Sequence, residues 1–413
     1  MKQSLAIISV IVSMVQFSIV SAQLIPENYD TLTLSHELIV KGNIDYYGTS
    51  VQNDMLSKFV RGGQITEENK NNSFDRHKAI NRLGAIGEGE IEYRNYNKHL
   101  FKNRNWGFNI KVGYTVFAGL LYSKDVFGGI FYGNDRYSGE TMDLSGTKLS
   151  YINYQKLGFG IIDEKSKSSV TFNLYNVSDR VSGHIREGTI FQHEDGSAID
   201  VVLDGDFETK RNKKFNQGLG VGLDVDFKIP VNWIKERKAF VQFKVQDLGV
   251  SYMYEKQKVY SVDTSFTYAG FQLNDLIGEE AIFNNESFNV LDTLGIKSSE
   301  KSRFVLMPGY IQVAKIVDDQ QEHKWQSFFG IRLYTTLVYS PYVFGGVDYK
   351  VAKWMHIGAN LSYGGFGKLR GGLYASAKFG NYSIGLSSEN VVGWFSRKNS
   401  SGQSINLRLR WAI

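Results

Sequence analysis

Apolar and polar side chains alternate with a period of two along much of this chain, and that period restricts it to extended strands with one oily and one polar face. In 355–363, Met355, Ile357, Ala359, Leu361 and Tyr363 share one face, while His356, Gly358, Asn360 and Ser362 share the other. In 369–379, Leu369, Leu373, Ala375, Ala377 and Phe379 oppose Arg370, Tyr374, Ser376 and Lys378. At 404–413, Ile405, Leu407, Leu409, Trp411 and Ile413 alternate with Ser404, Asn406, Arg408 and Arg410. The stretches 106–120 and 217–229 repeat the split. Weaker versions occupy 38–47, 84–96, 148–162, 169–177, 239–253, 302–315, 327–337 and 341–351. Turn signals such as Asp195-Gly196, Gly364-Gly365 and Gly380-Asn381 separate many of them.

A soluble sandwich shows the same period, so further features decide between water and lipid. Many segments run to ten or more residues, the 9–11 that a tilted strand needs to cross a bilayer. Aromatic residues gather near segment ends, at Trp106, Trp325, Trp354, Tyr363, Trp394 and Trp411, as in interfacial girdles. The chain stops inside its last alternating segment. Hydrocarbon leaves free backbone N–H and C=O groups unsatisfied, so a sheet within it must close. The expectation is an all-β fold: a closed antiparallel transmembrane β-barrel of roughly 14 strands (12–16), with short helical insertions. Pairing 38–46 with 404–413 would complete the ring and bring Lys41, Asn43 and Asp45 beside Arg408 and Arg410.

Residues 1–22 read as a cleaved secretory signal: Lys2 is followed by a mostly apolar run from Leu5 to Val20, and Ser21-Ala22 precede Gln23. No later stretch resembles a spanning helix. The composition of 42 Gly and 24 Tyr against 4 Pro is that of strands and turns, and with 0 Cys no disulfide contributes. The formal charge of +5 becomes +4 once Lys2 is removed, spread over both signs, which does not suggest a nucleic-acid partner. Residues 23–413 then form the barrel. Segment 52–83 breaks the alternation and is expected as a surface loop or periplasmic helical segment, or as a hatch folded into the lumen. A helical turn is expected around Asp125 to Phe131, and 271–300 as a long loop.

The order of parts resembles a family of uncharacterised Gram-negative outer-membrane barrels known only as a domain of unknown function. The matching residues are Phe59, Gly62 and Gly63, then Glu67 to Asn71 and Asn81-Arg82; Lys124-Asp125 through Phe131, Gly133 and Asn134; and Phe304 through Pro308. The architecture is similar to long-chain fatty-acid transporter barrels, which implies a lumen with an internal plug. The family supplies no catalytic or binding residues.

Chemistry-bearing motifs are few. Gly218-x-Gly220-x-Gly222 lacks the G-x-G-x-x-G spacing of a phosphate loop and continues through a strand. His193-Glu194-Asp195 and Asp204-Gly205-Asp206 read as solvated acidic segments, with calcium as the alternative. No cofactor, catalytic group or metal ligand set is expected. The lumen-facing candidates are Lys41, Asp45, Arg332, Asp348, Arg370, Lys378, Glu389, Arg408 and Arg410, either lining a conduit or pairing internally. Two functions stay open, neither enzymatic. One is a passive channel or transporter for small hydrophobic or anionic cargo; the other is a non-conducting scaffold barrel bound to envelope proteins of a secretion or surface-motility machine. In both, outer-membrane lipid surrounds the chain.

Overall fold

The computed structural model describes residues 28–29, 35–97, 101, 105–133, 135–210, 214–234, 237–268, 295–318, 323–396 and 398–413. The expected signal at 1–22 lies outside the described residues, as does most of the long loop at 271–300.

In chain order the elements begin with β1 (Asn28–Tyr29), β2 (His36–Gly48), α1 (Asn53–Arg61), α2 (Glu67–Phe74), β3 (Asn81–Asn95), β4 (Trp106–Tyr122) and α3 (Lys124–Phe131). There follow β5 (Thr141–Asp143), β6 (Lys148–Asp163), β7 (Ser169–Gln192), β8 (Ile199–Lys210), β9 (Gly218–Ile234), β10 (Arg237–Tyr268) and β11 (Lys297–Leu306). The last third contains β12 (Tyr310–Asp318), β13 (Trp325–Tyr334), β14 (Ser340–Ala352), β15 (Met355–Gly365), β16 (Leu369–Phe379), β17 (Tyr382–Ser388), α4 (Val392–Phe395) and β18 (Gly402–Ala412).

The expected fold is the one observed, a closed antiparallel barrel of 14 strands with a few short helices. The wall runs β2, β3, β4, β6, β7, β9, β10, then β12 through β18, and closes where β18 pairs antiparallel with β2 from Gly402 opposite Tyr47 to Ala412 opposite Glu37. Arg408 faces Lys41 in that register, as the alternation predicts. Closure matters physically because it satisfies every wall strand along both edges.

Outside the wall, apolar side chains stand in the open: Val112, Leu223, Ile229, Val313, Val347, Leu361 and Leu373 are all exposed. An apolar exterior on a closed barrel is stable in lipid and a liability in water. At one end aromatic pairs form a belt: Trp325 with Tyr349 at 4.5 Å, Trp354 with Phe379 at 5.5 Å, and Tyr382 stacked on Trp411 at 5.7 Å between centroids. This is the end with the tight turns Lys353-Trp354 and Gly380-Asn381, and the end where His36 and Ile413 exchange backbone hydrogen bonds. The opposite end bears the long connections. Taking the long-loop end as the outer end, α1 to α4 lie on the outer side.

Above the wall, β7 and β10 run on as a raised sheet, with 182–192 pairing β8, β8 pairing 257–268, and β11 pairing 250–261. Met307-Pro308-Gly309 separates β11 from β12, where alternation alone reads one strand over 302–315. Segment 52–83 forms α1 and α2. Met55 and Leu56 of α1, Phe74 of α2 and Phe127 of α3 pack with Tyr46, Leu83, Leu120 and Tyr122. Those four side chains alternate with lumen-facing Asp45, Arg82, Phe117 and Leu121, so the helices form a collar on the outer face of the wall. The helices of 52–83 thus lie neither in the lumen nor at the short-turn end. Thr66 and Asn69 start α2 with reciprocal capping bonds, and the Ser123 hydroxyl accepts from the Val126 amide to start α3.

Candidate functional site

The lumen is crowded with ion pairs. Near the short-turn end Arg94 bridges Glu37 and Glu92 at 3.3 and 2.9 Å, and Arg410 also contacts Glu37. Lys41 continues the chain to Glu90 at 2.9 Å and Glu92 at 3.6 Å. Deeper, Lys156 reaches Glu90 at 2.8 Å and Asp247 at 3.1 Å, while Lys111 reaches Asp224 at 3.0 Å. Asp247 also accepts from the hydroxyls of Tyr154 and Tyr175 at 3.0 and 3.2 Å. It adopts φ 54 at a register break in β10, a left-handed conformation that Asp tolerates better than most residues. Gly222 makes this convergence sterically feasible, since a Cβ there would come within 2.6 Å of the Tyr175 hydroxyl.

A second cluster lies toward the outer mouth. Arg370 places Nη1 2.9 Å from both carboxylate oxygens of Asp45 and 3.7 Å from Glu389. Glu389 accepts from the Tyr342 hydroxyl at 2.6 Å. Arg332 donates to Gln312 at 2.9 Å and stacks 4.5 Å from the Tyr310 ring. Asp348 accepts from Tyr374 at 2.5 Å and meets His356 at 2.8 Å.

Of the nine lumen candidates, the structure therefore brings Asp45, Arg370, Glu389 and Arg332 into one outer cluster, and Lys41 and Arg410 into the inner chain. Asp348 joins a separate Tyr374–His356 group. Lys378 and Arg408 are half-buried at the short-turn end and in the inner half of the barrel respectively. The inner hub of Lys156, Lys111, Asp224 and Asp247 is absent from the candidates, although the first three lie on the polar face of an alternating strand; Asp247 is in step with Val241, Phe243 and Val245 and turns inward only at the register break between Val245 and Leu248. Asp204 and Asp206, weighed as calcium ligands, instead clamp the Arg186 guanidinium at 2.6 and 2.5 Å.

Opposing walls touch inside this barrel. Gln246 of β10 donates to Glu88 of β3 across the lumen. Near the mouth Phe117 of β4 lies 6.1 Å from Tyr334 of β13 and 5.6 Å from Phe366, which follows β15. Phe366, Val338 and Tyr339 fold inward from two of the shorter outer loops and join Tyr342 of β14 in one buried cluster. Beside it, between β6, β7, β11 and the 335–338 loop, opens a cavity of about 400 Å³. Its lining includes buried Ile152, Met307 and Val338 along with Lys148, Arg180 and His184.

No protein-family profile and no curated protein sequence matches the chain. Among solved structures it is similar to a FadL homologue of Pseudomonas aeruginosa (9% identity over 91% of this chain and 90% of that one, TM-score 0.39). It is also similar to the P. putida toluene transporter TodX (8%, 91% and 87%, TM-score 0.34). The translocator domain of the autotransporter NalP from Neisseria meningitidis is comparable (8%, 93% and 91%, TM-score 0.30). A transporter and an autotransporter domain resemble the chain to similar degrees, so the likeness selects no cargo.

Proposed function

We propose that this chain is an outer-membrane barrel, exported through a leader spanning residues 1–22, that admits small hydrophobic compounds through a gated mouth rather than a standing aqueous pore. The cavity of about 400 Å³ on the outer side supports this reading, because it joins an apolar floor of Ile152, Met307 and Val338 to cationic groups at Lys148 and Arg180. Such a surface accommodates an apolar body and tolerates an acidic end. The test is a binding titration of a fluorescent medium-chain carboxylate on the detergent-purified protein, followed by uptake into proteoliposomes. Saturable binding that weakens when Met307 and Val338 become Asp supports the reading. Absence of both binding and uptake refutes it.

The Glu88–Gln246 bridge across the lumen favours a second reading, a non-conducting scaffold for an envelope assembly. A stoichiometric envelope partner co-purifying with a barrel that neither conducts nor binds cargo would establish that alternative.

A further inference from the structure

We propose that the lumen holds a small carboxylate-type anion, of formate or acetate size, on the Nε–Nη2 edge of Arg370. This goes beyond the transport reading and does not depend on it, since a resident anion needs no flux.

Arg370 is 2% exposed, and its Nη1 atom makes the contacts to Asp45. Nε and Nη2 have no hydrogen-bond partner among the described residues. Those two N–H groups form one flat edge of the guanidinium, spaced for the two oxygens of a carboxylate. Burying such donors without an acceptor is costly, and folded proteins seldom leave them so.

The guanidinium is held in place. Its Cζ lies 4.5 Å from the Tyr47 ring and 5.4 Å from the Tyr342 ring, and Asp45 fixes one end, so the open edge cannot readily turn to a protein acceptor. The surroundings suit a small oxyanion. Ser362, directly opposite Arg370 in the β15–β16 register, has a buried hydroxyl with no partner among the described residues. A Cβ at Gly365 would lie 2.9 Å from both Nη2 and the Tyr339 hydroxyl, so a side chain there would close this corner. Arg332, 5.9 Å from the same Tyr342 ring, adds positive charge. Glu389 is the opposing group, and its Oε1 also has no partner among the described residues.

The experiment titrates ¹³C-formate into the full chain, folded in detergent micelles, and reads binding from formate line broadening at constant ionic strength. The wild-type protein should saturate at one equivalent. Arg370→Lys keeps a charge for Asp45 but lacks the flat edge, and should weaken binding roughly tenfold or more. Glu389→Gln removes the repelling charge and should tighten it several-fold. Broadening that never saturates in the wild type means that water alone fills the edge and overturns the proposal, as does equal affinity in Arg370→Lys. Should Arg370→Lys fail to fold, Glu389→Gln decides: unchanged affinity overturns the site.

Discussion

Phe366 seats its ring where Gly84, on the far side of the barrel mouth, has no side chain. A Cβ at Gly84 would fall within contact distance of that ring, and one at Gly119 on the neighbouring strand would reach it at 3.0 Å. The two glycines form a socket and Phe366 is the plug. Gly84→Leu should therefore unseat Phe366 and raise single-channel conductance in planar bilayers above the wild-type level. Phe366→Ala should act in the same direction, at a stability cost of about 3–5 kcal/mol for the lost aromatic. If both variants fold and conduct no more than the wild type, the barrier lies deeper, at Glu88 and Gln246.

The collar should loosen in acid. His77 packs 4.3 Å from the Phe127 ring, with Nδ1 2.7 Å from the Ser73 carbonyl and Nε2 3.0 Å from the Tyr122 hydroxyl. Burial pushes its pKa down to about 4, and the nearby charges of Lys124 and Lys368 add to the effect. An unfolded histidine titrates near 6.5, so below that pH the detached collar binds the extra proton. Collar stability is whole above about 6.5 and falls as pH drops toward about 4, by up to roughly 3 kcal/mol. Backbone hydrogen exchange of α1 and α2, corrected for the intrinsic pH dependence of exchange, should accelerate over that window, and His77→Phe should flatten the profile.

Replacing the buried cation of the inner hub should be costly. Lys156→Met leaves Glu90 and Asp247 facing each other without their shared partner, and breaking a buried pair on one side costs about 3–5 kcal/mol. Adding Asp247→Asn should recover part of the loss, because one uncompensated charge goes with it. Urea unfolding in lipid, followed by the heat-dependent shift in gel mobility, measures both. If Lys156→Met matches the wild type, the hub is hydrated rather than mutually dependent.

The wall was legible in the sequence because lipid outside and polar groups inside impose opposite demands on successive residues. Leu361 and Ser362 could be assigned to opposite faces without coordinates, and the pairing of Lys41 with Arg408 followed from closure. Other parts were hidden for physical reasons. β17 is short, and its Ser383, Gly385 and Ser387 give little polar contrast. β11 and β12 merge in the pattern because Pro308 interrupts pairing without disturbing alternation. Alternation assigns Asp45 and Arg370 to the lumen but not to each other, since they are distant in sequence and meet only after the barrel curves. The collar was least legible: Met55, Leu56 and Phe74 announce a packed face, yet nothing local says whether it meets the inside or the outside of the wall.

Placing a charge on the outer wall gives the sharpest test of which face meets lipid. Val347 lies midway along β14, exposed, with Gly346 and Asp348 directed to the lumen. An arginine at the middle of the hydrocarbon layer costs about 2–4 kcal/mol in transmembrane barrels, whereas one near the interface costs about 0–1. Val347→Arg should accordingly lower folding stability in lipid vesicles by several-fold more than Val351→Arg, which lies nearer the aromatic belt at Trp354. In a water-soluble barrel the order would vanish, since either arginine would extend into solvent and both variants would match or exceed the wild type in solubility. Equal stability of the two variants in vesicles would place the apolar band elsewhere on the wall.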